Sequence, residues 1–316
     1  MLVLVTGATG FVGREVVKAL GDRGFEVRCL VHTPGRESVL GDQQVEVHYG
    51  SVGDMAALRA AFYDVDVVVH LVAAIRQKGP TTFQSLNRRG AEAVVETAKA
   101  AGVKHFLYVS ALGATDDPRY PYLNSKWQAE QAVINSGIPY TILRPSIQFG
   151  PGDEFINTLA GLVRVSPIMP IIGRGRNRFQ PIAVQEVAGC VAAAAGDDEF
   201  HGRTIEIGGP EHLSYIEIVD IIAATYQVWR PKLHIPVWAM RLVVRLMELV
   251  LPRPPATTEQ LRMLPVSNIA KLDTVEDVFG FKPTPLQGSI DYIKGIGFWD
   301  GVRMTLGFMP RRIRDH

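Results

Sequence analysis

Three groups of residues have the types and spacing to do chemistry. In Val3-Leu-Val-Thr-Gly-Ala-Thr-Gly-Phe-Val-Gly-Arg14, glycines fall at positions 7, 10 and 13, straight after an apolar run and at the opening of a helical pattern. In such a turn Gly7 permits the tight reversal, Gly10 lets backbone approach a pyrophosphate, and Gly13 lets helix pack on strand, with anionic oxygens meeting the helix N-terminus. A glycine triplet also makes a bare strand-to-helix turn; its position in the first of several alternating units is what favours a dinucleotide. Next, Tyr122-Leu-Asn-Ser-Lys126 puts a phenol and an ammonium four residues apart, on one face of a helix. A neighbouring cation stabilises phenolate and lowers a Tyr pKa from about 10, which makes the phenol a usable acid or base near neutrality. Ser110, closing the run Leu107-Tyr-Val-Ser, is placed to hydrogen-bond the same substrate oxygen. By themselves a Tyr and a Lys at this spacing are commonplace on helices.

Nucleotide preference turns on the end of the second strand, where an acidic side chain would bind a ribose 2′-hydroxyl and repel a 2′-phosphate. Val31-His-Thr-Pro-Gly-Arg36 has none there and offers His32, Thr33 and Arg36. This favours NADP(H) over NAD(H), with a merely solvated Arg36, and no preference, as the other reading.

These residues need elements to hold them. Short β-branched runs at 2–5, 27–31, 45–48, 67–71, 105–110, 140–143 and 204–207 alternate with helical patterns at 11–20, 56–62, 82–101, 122–135 and 185–195. Such repetition implies parallel pairing with right-handed crossovers, an α/β fold with a doubly wound Rossmann sheet. Past Gly150 the rhythm breaks into Pro- and Gly-rich chain, and from Ser214 onward helical stretches are punctuated by prolines, among them Pro231, Pro236, Pro252 and Pro265. We therefore expect a nucleotide-binding domain over 1–150, completed by about 179–208. A smaller, mostly helical subdomain takes 151–178 and 209–316, with substrate bound in the cleft beyond the strand C-termini.

Composition closes off several classes. Lys plus Arg is 33 against 32 Asp plus Glu, so no global positive field recruits nucleic acid. Cys29 and Cys190 are too few for a disulfide framework and suit a reducing compartment. The N-terminus reads as a strand, not a basic leader, and the apolar stretch 237–251 is too short and too charged to span a bilayer. A cytoplasmic location follows, with peripheral attachment to the inner face of the membrane left open. The eight histidines show no ligand-spaced pair, so no metal site is expected.

Taken together, Thr6-Gly-Ala-Thr-Gly-Phe-Val-Gly13, Asn87 in Leu-Asn-Arg-Arg-Gly-Ala-Glu, Ser110, Tyr122 with Lys126, and Leu143-Arg-Pro-Ser-Ile-Gln-Phe-Gly-Pro-Gly152 resemble the extended and atypical branches of the short-chain dehydrogenase/reductase superfamily. The resemblance implies Tyr122 as general acid/base, Lys126 as the ribose-binding group that tunes it, and Ser110 as the group that polarises substrate. It implies cofactor contacts from Thr6, Gly7, Thr9, Gly10, Phe11, Val12, Gly13, Ala73, Asn87, Lys126 and Pro145. Narrower likenesses at Phe149-Gly-Pro-Gly-Asp-Glu-Phe, Pro167-Ile-Met-Pro-Ile-Ile-Gly and Pro254-Pro-Ala-Thr-Thr-Glu-Gln-Leu are similar to the branch holding the nucleotide-binding accessory subunit of mitochondrial complex I. The chain departs from the family at Gly50-Ser51, where Gly-Asp usually contacts adenine, and at Gln148, where an apolar residue is usual.

Gln148 and Arg178 are the substrate-binding candidates; Arg174, Arg176 and Arg178 either clamp phosphate or line a solvated loop. The stretches 237–251 and 298–309, the second followed by Arg311, Arg312 and Arg314, are more apolar than one packing face needs. Either they pack on each other or across a homodimer, or they meet a membrane or quinone-related partner. Two functions are consistent with all this. One is an NAD(P)-dependent oxidoreductase or epimerase/dehydratase-like enzyme acting on a nucleotide-sugar, another sugar or a quinone-related small molecule. The other is a cofactor-holding accessory or assembly protein of a respiratory or quinone-related membrane complex.

Overall fold

All seven β-branched runs enter one parallel sheet. The computed structural model describes residues 1–251 and 254–314, so Pro252 lies outside the described residues. The strands are β1 (Leu2–Thr6), β2 (Glu26–Val31), β3 (Val45–Tyr49), β4 (Val67–His70), β5 (His105–Val109), β6 (Tyr140–Pro145) and β11 (Arg203–Ile207). Their order is β11-β6-β5-β4-β1-β2-β3. β1 pairs with β2 on one side (Val3↔Val27) and with β4 on the other (Val3↔Val67), so the order reverses beside β1, where a doubly wound sheet opens its crevice. β4 and β5 are buried along their whole length, which is why they read as continuous apolar runs and not as alternating ones.

Two compact units divide the chain: Met1–Pro145 with Val184–Ile207, and Ser146–Ala183 with the chain from Gly208 on. In the first, α1 (Phe11–Asp22) and α6 (Val184–Ala195) pack against each other. α2 (Met55–Ala61), α3 (Arg89–Ala101) and α4 (Pro121–Ile134) build a second layer, in which Leu58, Val94 and Val133 bury against Leu4, Val68, Phe106 and Ile142 of the strands. The helix expected over 82–101 comes in two pieces, because a π-helical turn, Phe83–Arg88, precedes α3. Thr82 and Ser85 cap that turn reciprocally, and its wider coil carries the fully buried Asn87.

Within α6, Gly189 has nothing within 4 Å of where a Cβ would stand. Gly189→Ala is expected to stabilise the protein by about 0.5–1 kcal/mol through backbone entropy, read as a rise in the denaturation midpoint.

Among the described residues, the second unit is helical with three short ladders. Its helices are α5 (Phe155–Val165), α7 (Tyr215–Thr225), α8 (Val237–Val250), α9 (Thr258–Met263), α10 (Thr274–Phe279), α11 (Phe298–Thr305) and α12 (Arg311–Arg314). β7 (Gln148–Phe149) runs parallel to β10 (Ile182–Ala183), β8 (Met169–Ile172) parallel to β13 (Lys232–Ile235), and β9 (Arg178–Phe179) antiparallel to β12 (Leu213–Ser214). α5 was hidden among prolines and glycines, although Ile156, Leu159, Ala160 and Val163 have helical spacing and form its buried stripe. α5 crosses α11 closely at Gly161 and Gly301; a Cβ on Gly301 would stand 2.7 Å from the Gly161 carbonyl oxygen. Of the two apolar C-terminal stretches, α8 packs on α9 and α11 on α5.

Candidate nucleotide and proton-transfer site

The loop after β1 is built around absent side chains. Gly7 has φ +83°, and a Cβ there would press on the backbone of Leu71 and Val72 at 3.2 Å, where the chain leaves β4. Gly10 donates its N–H to the Gly7 carbonyl (3.0 Å) and caps α1. At Gly13 a Cβ would lie 2.1 Å from the Gly7 carbonyl oxygen and 2.7 Å from the Ala8 backbone. The loop thus brings bare backbone to the N-terminus of a twelve-residue helix with no acidic side chain in its first turn. That cradle fits a dinucleotide pyrophosphate.

Residues around the cradle are tied together from several elements. At the end of β2, His32 is exposed with Nδ1 3.1 Å from Thr33 Oγ1, and Arg36 opens a short 3-10 turn. Ser51 Oγ accepts the Gly53 N–H (3.3 Å), and the nearby acid, Asp54, caps α2 through the N–H groups of Ala56 and Ala57. Asn87 accepts from the Ala74 N–H (2.6 Å) and donates to the Ala74 carbonyl (3.0 Å) and to Ser125 Oγ (3.1 Å). Its amide therefore clamps the segment after β4 that contains Ala73. Pro145, buried at the end of β6, accepts the Leu112 N–H through its carbonyl (3.0 Å).

Of the residues expected to handle protons, Tyr122 and Lys126 lie on α4 and Ser110 directly follows β5. Lys126, fully buried on α4, donates from Nζ to the Val109 carbonyl (2.8 Å), one residue before Ser110, and lies 4.4 Å from the centre of the Tyr108 ring. Tyr122, one turn earlier on α4, sets its ring edge-to-face against Phe83 at 5.7 Å. Ser110 Oγ is buried and has no hydrogen-bond partner among the described residues. Burial lowers Lys126 to about 7, only partly offset by Glu130, whose carboxylate is held by the Arg144 guanidinium at 2.6 and 2.9 Å. Burial pushes the Tyr122 phenol up to about 12. This reverses the lowering expected from a neighbouring cation: desolvation dominates, and the ammonium is engaged with Val109 and Tyr108.

A residue not singled out from the sequence joins them. His70, the last residue of β4, is fully buried, with Nδ1 2.7 Å from Thr6 Oγ1 and its ring stacked on Tyr108 at 5.7 Å. Burial and the Lys126 charge hold it down at about 3, so it is neutral at physiological pH. A histidine closing an otherwise aliphatic strand, Val67-Val-Val-His70, was the available signal.

In the second unit, Gln148 Oε1 is buried without a hydrogen-bond partner among the described residues, and exposed Arg178 donates to the His212 carbonyl (2.9 Å). Arg174 and Arg176 are exposed as well. Sequence reasoning also missed Asp153, buried before α5. It accepts from the Ile156 N–H (2.5 Å), Asn157 Nδ2 (3.0 Å) and Tyr292 Oη (2.9 Å). Burial outweighs these donors and raises Asp153 to about 7. Because the folded form holds its proton more tightly than the unfolded chain, this contribution is fully present below about pH 4 and is lost as pH rises through about 7. Denaturant titrations stepped from pH 4 to 7 are expected to show a fall on the order of a few kcal/mol, and Asp153→Asn to flatten it.

Among the described residues no group of His, Cys, Asp or Glu is arranged to hold a metal ion, and no helix is long and apolar enough to cross a membrane.

An α/β fold with a parallel sheet reversing beside a glycine cradle defines a nucleotide-binding protein of the Rossmann class. Residues 7–152 match a family model described as NAD(P)H-binding. The chain is 32% identical over 220 residues to (4-alkanoyl-5-oxo-2,5-dihydrofuran-3-yl)methyl phosphate reductase of Streptomyces griseus, covering 67% of this chain and 70% of that one. It belongs to this NAD(P)H-binding family. It is also 30% identical over 244 residues to the mitochondrial NADH dehydrogenase [ubiquinone] 1 alpha subcomplex subunit 9 of Arabidopsis thaliana, and 34% identical over 192 residues to the ceramide reductase of Caulobacter vibrioides. These alignments cover 75% and 61% of this chain, and the chain spans 60% of the length of each of these two relatives. The fold is shared with an NADPH-dependent quinone oxidoreductase from Escherichia coli complexed with NADPH, at a TM-score of 0.76, 19% identity, and coverage of 93% of this chain and 100% of that one.

Proposed function

We propose that the chain is an NADP(H)-dependent reductase that converts a substrate carbonyl to a hydroxyl, with Tyr122 as proton donor. The observation that carries this reading is that Lys126, one turn after Tyr122 on α4, donates from Nζ to the Val109 carbonyl beside the buried Ser110 hydroxyl, which has no hydrogen-bond partner among the described residues. Bound nicotinamide supplies the hydride. Ser110 Oγ donates a hydrogen bond to the substrate oxygen and orients it. Tyr122 passes its phenolic proton to that oxygen as charge develops there, and a phenol held at about 12 enters the step protonated, which suits reduction. Lys126 binds the nicotinamide ribose and stabilises the resulting phenolate. Asn87 fixes the Ala73–Ala74 backbone at the cofactor side, and neutral His70 keeps Thr6 in place under the cradle.

The absence of an acid at the end of β2, with His32, Thr33 and Arg36 in its place, supports the phosphorylated nucleotide. Gln148 and Arg178 are assigned to substrate binding. Relatives named as reductases of a ceramide and of an alkanoyl-furan phosphate favour a substrate with an apolar tail.

A second reading, a cofactor-holding accessory protein of a membrane complex, is favoured by the likeness to the complex I subunit. Identification of the nucleotide released on denaturation, followed by its exchange and oxidation with tailed carbonyl compounds and quinones, separates the two. Exchange with turnover supports the reductase; a stoichiometric nucleotide that neither exchanges nor reacts supports the accessory role.

A further inference from the structure

α8 presents to solvent the side that a helix normally buries. Among the described residues its buried side chains are Met240 and Val244, which cluster with Leu261 against Ile235 and Ile172. Trp238 is 73% exposed and Leu249 82%, and Leu242, Val243, Leu246 and Val250 are exposed with them. At about 100° per residue, Trp238, Leu249, Leu242 and Leu246 fall within an arc of about 80°, which Val250 and Val243 widen to about 140°. Arg241 and Arg245, both exposed, border that arc on the Trp238 side. The acid on this flank, Glu248, is already bound by the Thr258 N–H (2.8 Å) and hydroxyl (2.6 Å). The result is an apolar strip with a net cationic edge, two guanidinia to one carboxylate.

We propose that α8 lies flat on an anionic lipid bilayer, its apolar arc among the acyl chains, Trp238 at the headgroup level, and Arg241 and Arg245 against lipid phosphates. Charge selects this occupant. Anionic headgroups complement both guanidinia, whereas a second copy laid on the same strip would bring a second pair of arginines to its rim with one Glu248 per copy to set against each pair. Fourteen residues of α8 are too few to span a bilayer, so the helix acts as a surface anchor. The inference uses residues of the second unit alone and does not depend on whether the nucleotide site turns over.

The test is flotation of the full chain with vesicles of phosphatidylcholine, with and without phosphatidylglycerol, at low and high salt. Wild type is expected to float with the mixed vesicles, and less so as salt rises. Arg241→Glu with Arg245→Glu should weaken binding by about tenfold or more. Leu242→Glu with Leu249→Glu should abolish it with an unchanged circular dichroism spectrum, since both side chains are exposed. Bromolipid quenching of tryptophan fluorescence should diminish in Trp238→Phe. Failure of wild type to float with either vesicle, or undiminished flotation of the Leu242/Leu249 double variant, overturns the proposal. A wild-type dimer that this double variant converts to monomer in sedimentation velocity overturns it as well, in favour of self-association.

Discussion

Gly13→Ala is expected to weaken NADPH binding by at least about a hundredfold, equivalent to about 2.7 kcal/mol, in a nucleotide fluorescence titration. The added methyl would stand 2.1 Å from the Gly7 carbonyl oxygen and 2.7 Å from the Ala8 backbone, so either α1 lifts from the sheet or the loop moves. Both responses misplace the N–H groups proposed to meet the pyrophosphate, and interiors resist such overpacking at about 1–3 kcal/mol per offending group. Gly53→Ala is the control. Its nearest neighbour outside the adjoining chain is Ser51 Oγ at 3.8 Å, so affinity should stay within about twofold. Equal affinity in wild type and Gly13→Ala would mean that the nucleotide does not sit in this loop.

Tyr122→Phe should lower turnover by about a hundredfold to ten-thousandfold while leaving nucleotide affinity nearly unchanged. The ring against Phe83 is retained, and with it the packing at the start of α4. What is lost is the transferable proton. A matching fall in nucleotide affinity would show instead that the hydroxyl supports the binding site, and an unaltered rate would remove Tyr122 from the chemistry. For an accessory protein the same substitution should change neither nucleotide content nor assembly of the partner complex, so it also discriminates between the two readings of the chain.

The sheet was legible because parallel strands buried on both faces must be nearly continuous apolar runs, aliphatic in Val67–Val69 and mixed aliphatic and aromatic in Phe106–Val109. The glycine cradle was legible because close backbone approach tolerates no other residue. What escaped depended on distant partners. The ladders of the second unit pair two to four residues across gaps in sequence, too short to leave a period, and the prolines around α5 masked its apolar stripe. Asp153 looks like a loop acid until Tyr292, 139 residues away, is seen to close over it. The direction of the Tyr122 shift also lay beyond the spacing, since four residues on a helix say nothing about how dry the site is. The exposed side of α8 was visible as surplus apolar surface, but Glu248, on its cationic flank, is accounted for only once Thr258 is placed beside it.

The first unit is assembled from two separated lengths of chain, and this orders events on the ribosome. β11 pairs with β6 (Ile205↔Leu143), and α6 covers α1, yet both lie beyond a detour through Ser146–Ala183. A nascent chain that has emerged only to Ala183 has an open strand edge at β6 and an uncovered face on α1, and it keeps both until Ile207 is synthesised. Translation pauses within that window lengthen the time for which the half-made sheet can pair with a neighbour, and a chain truncated there should enter inclusion bodies.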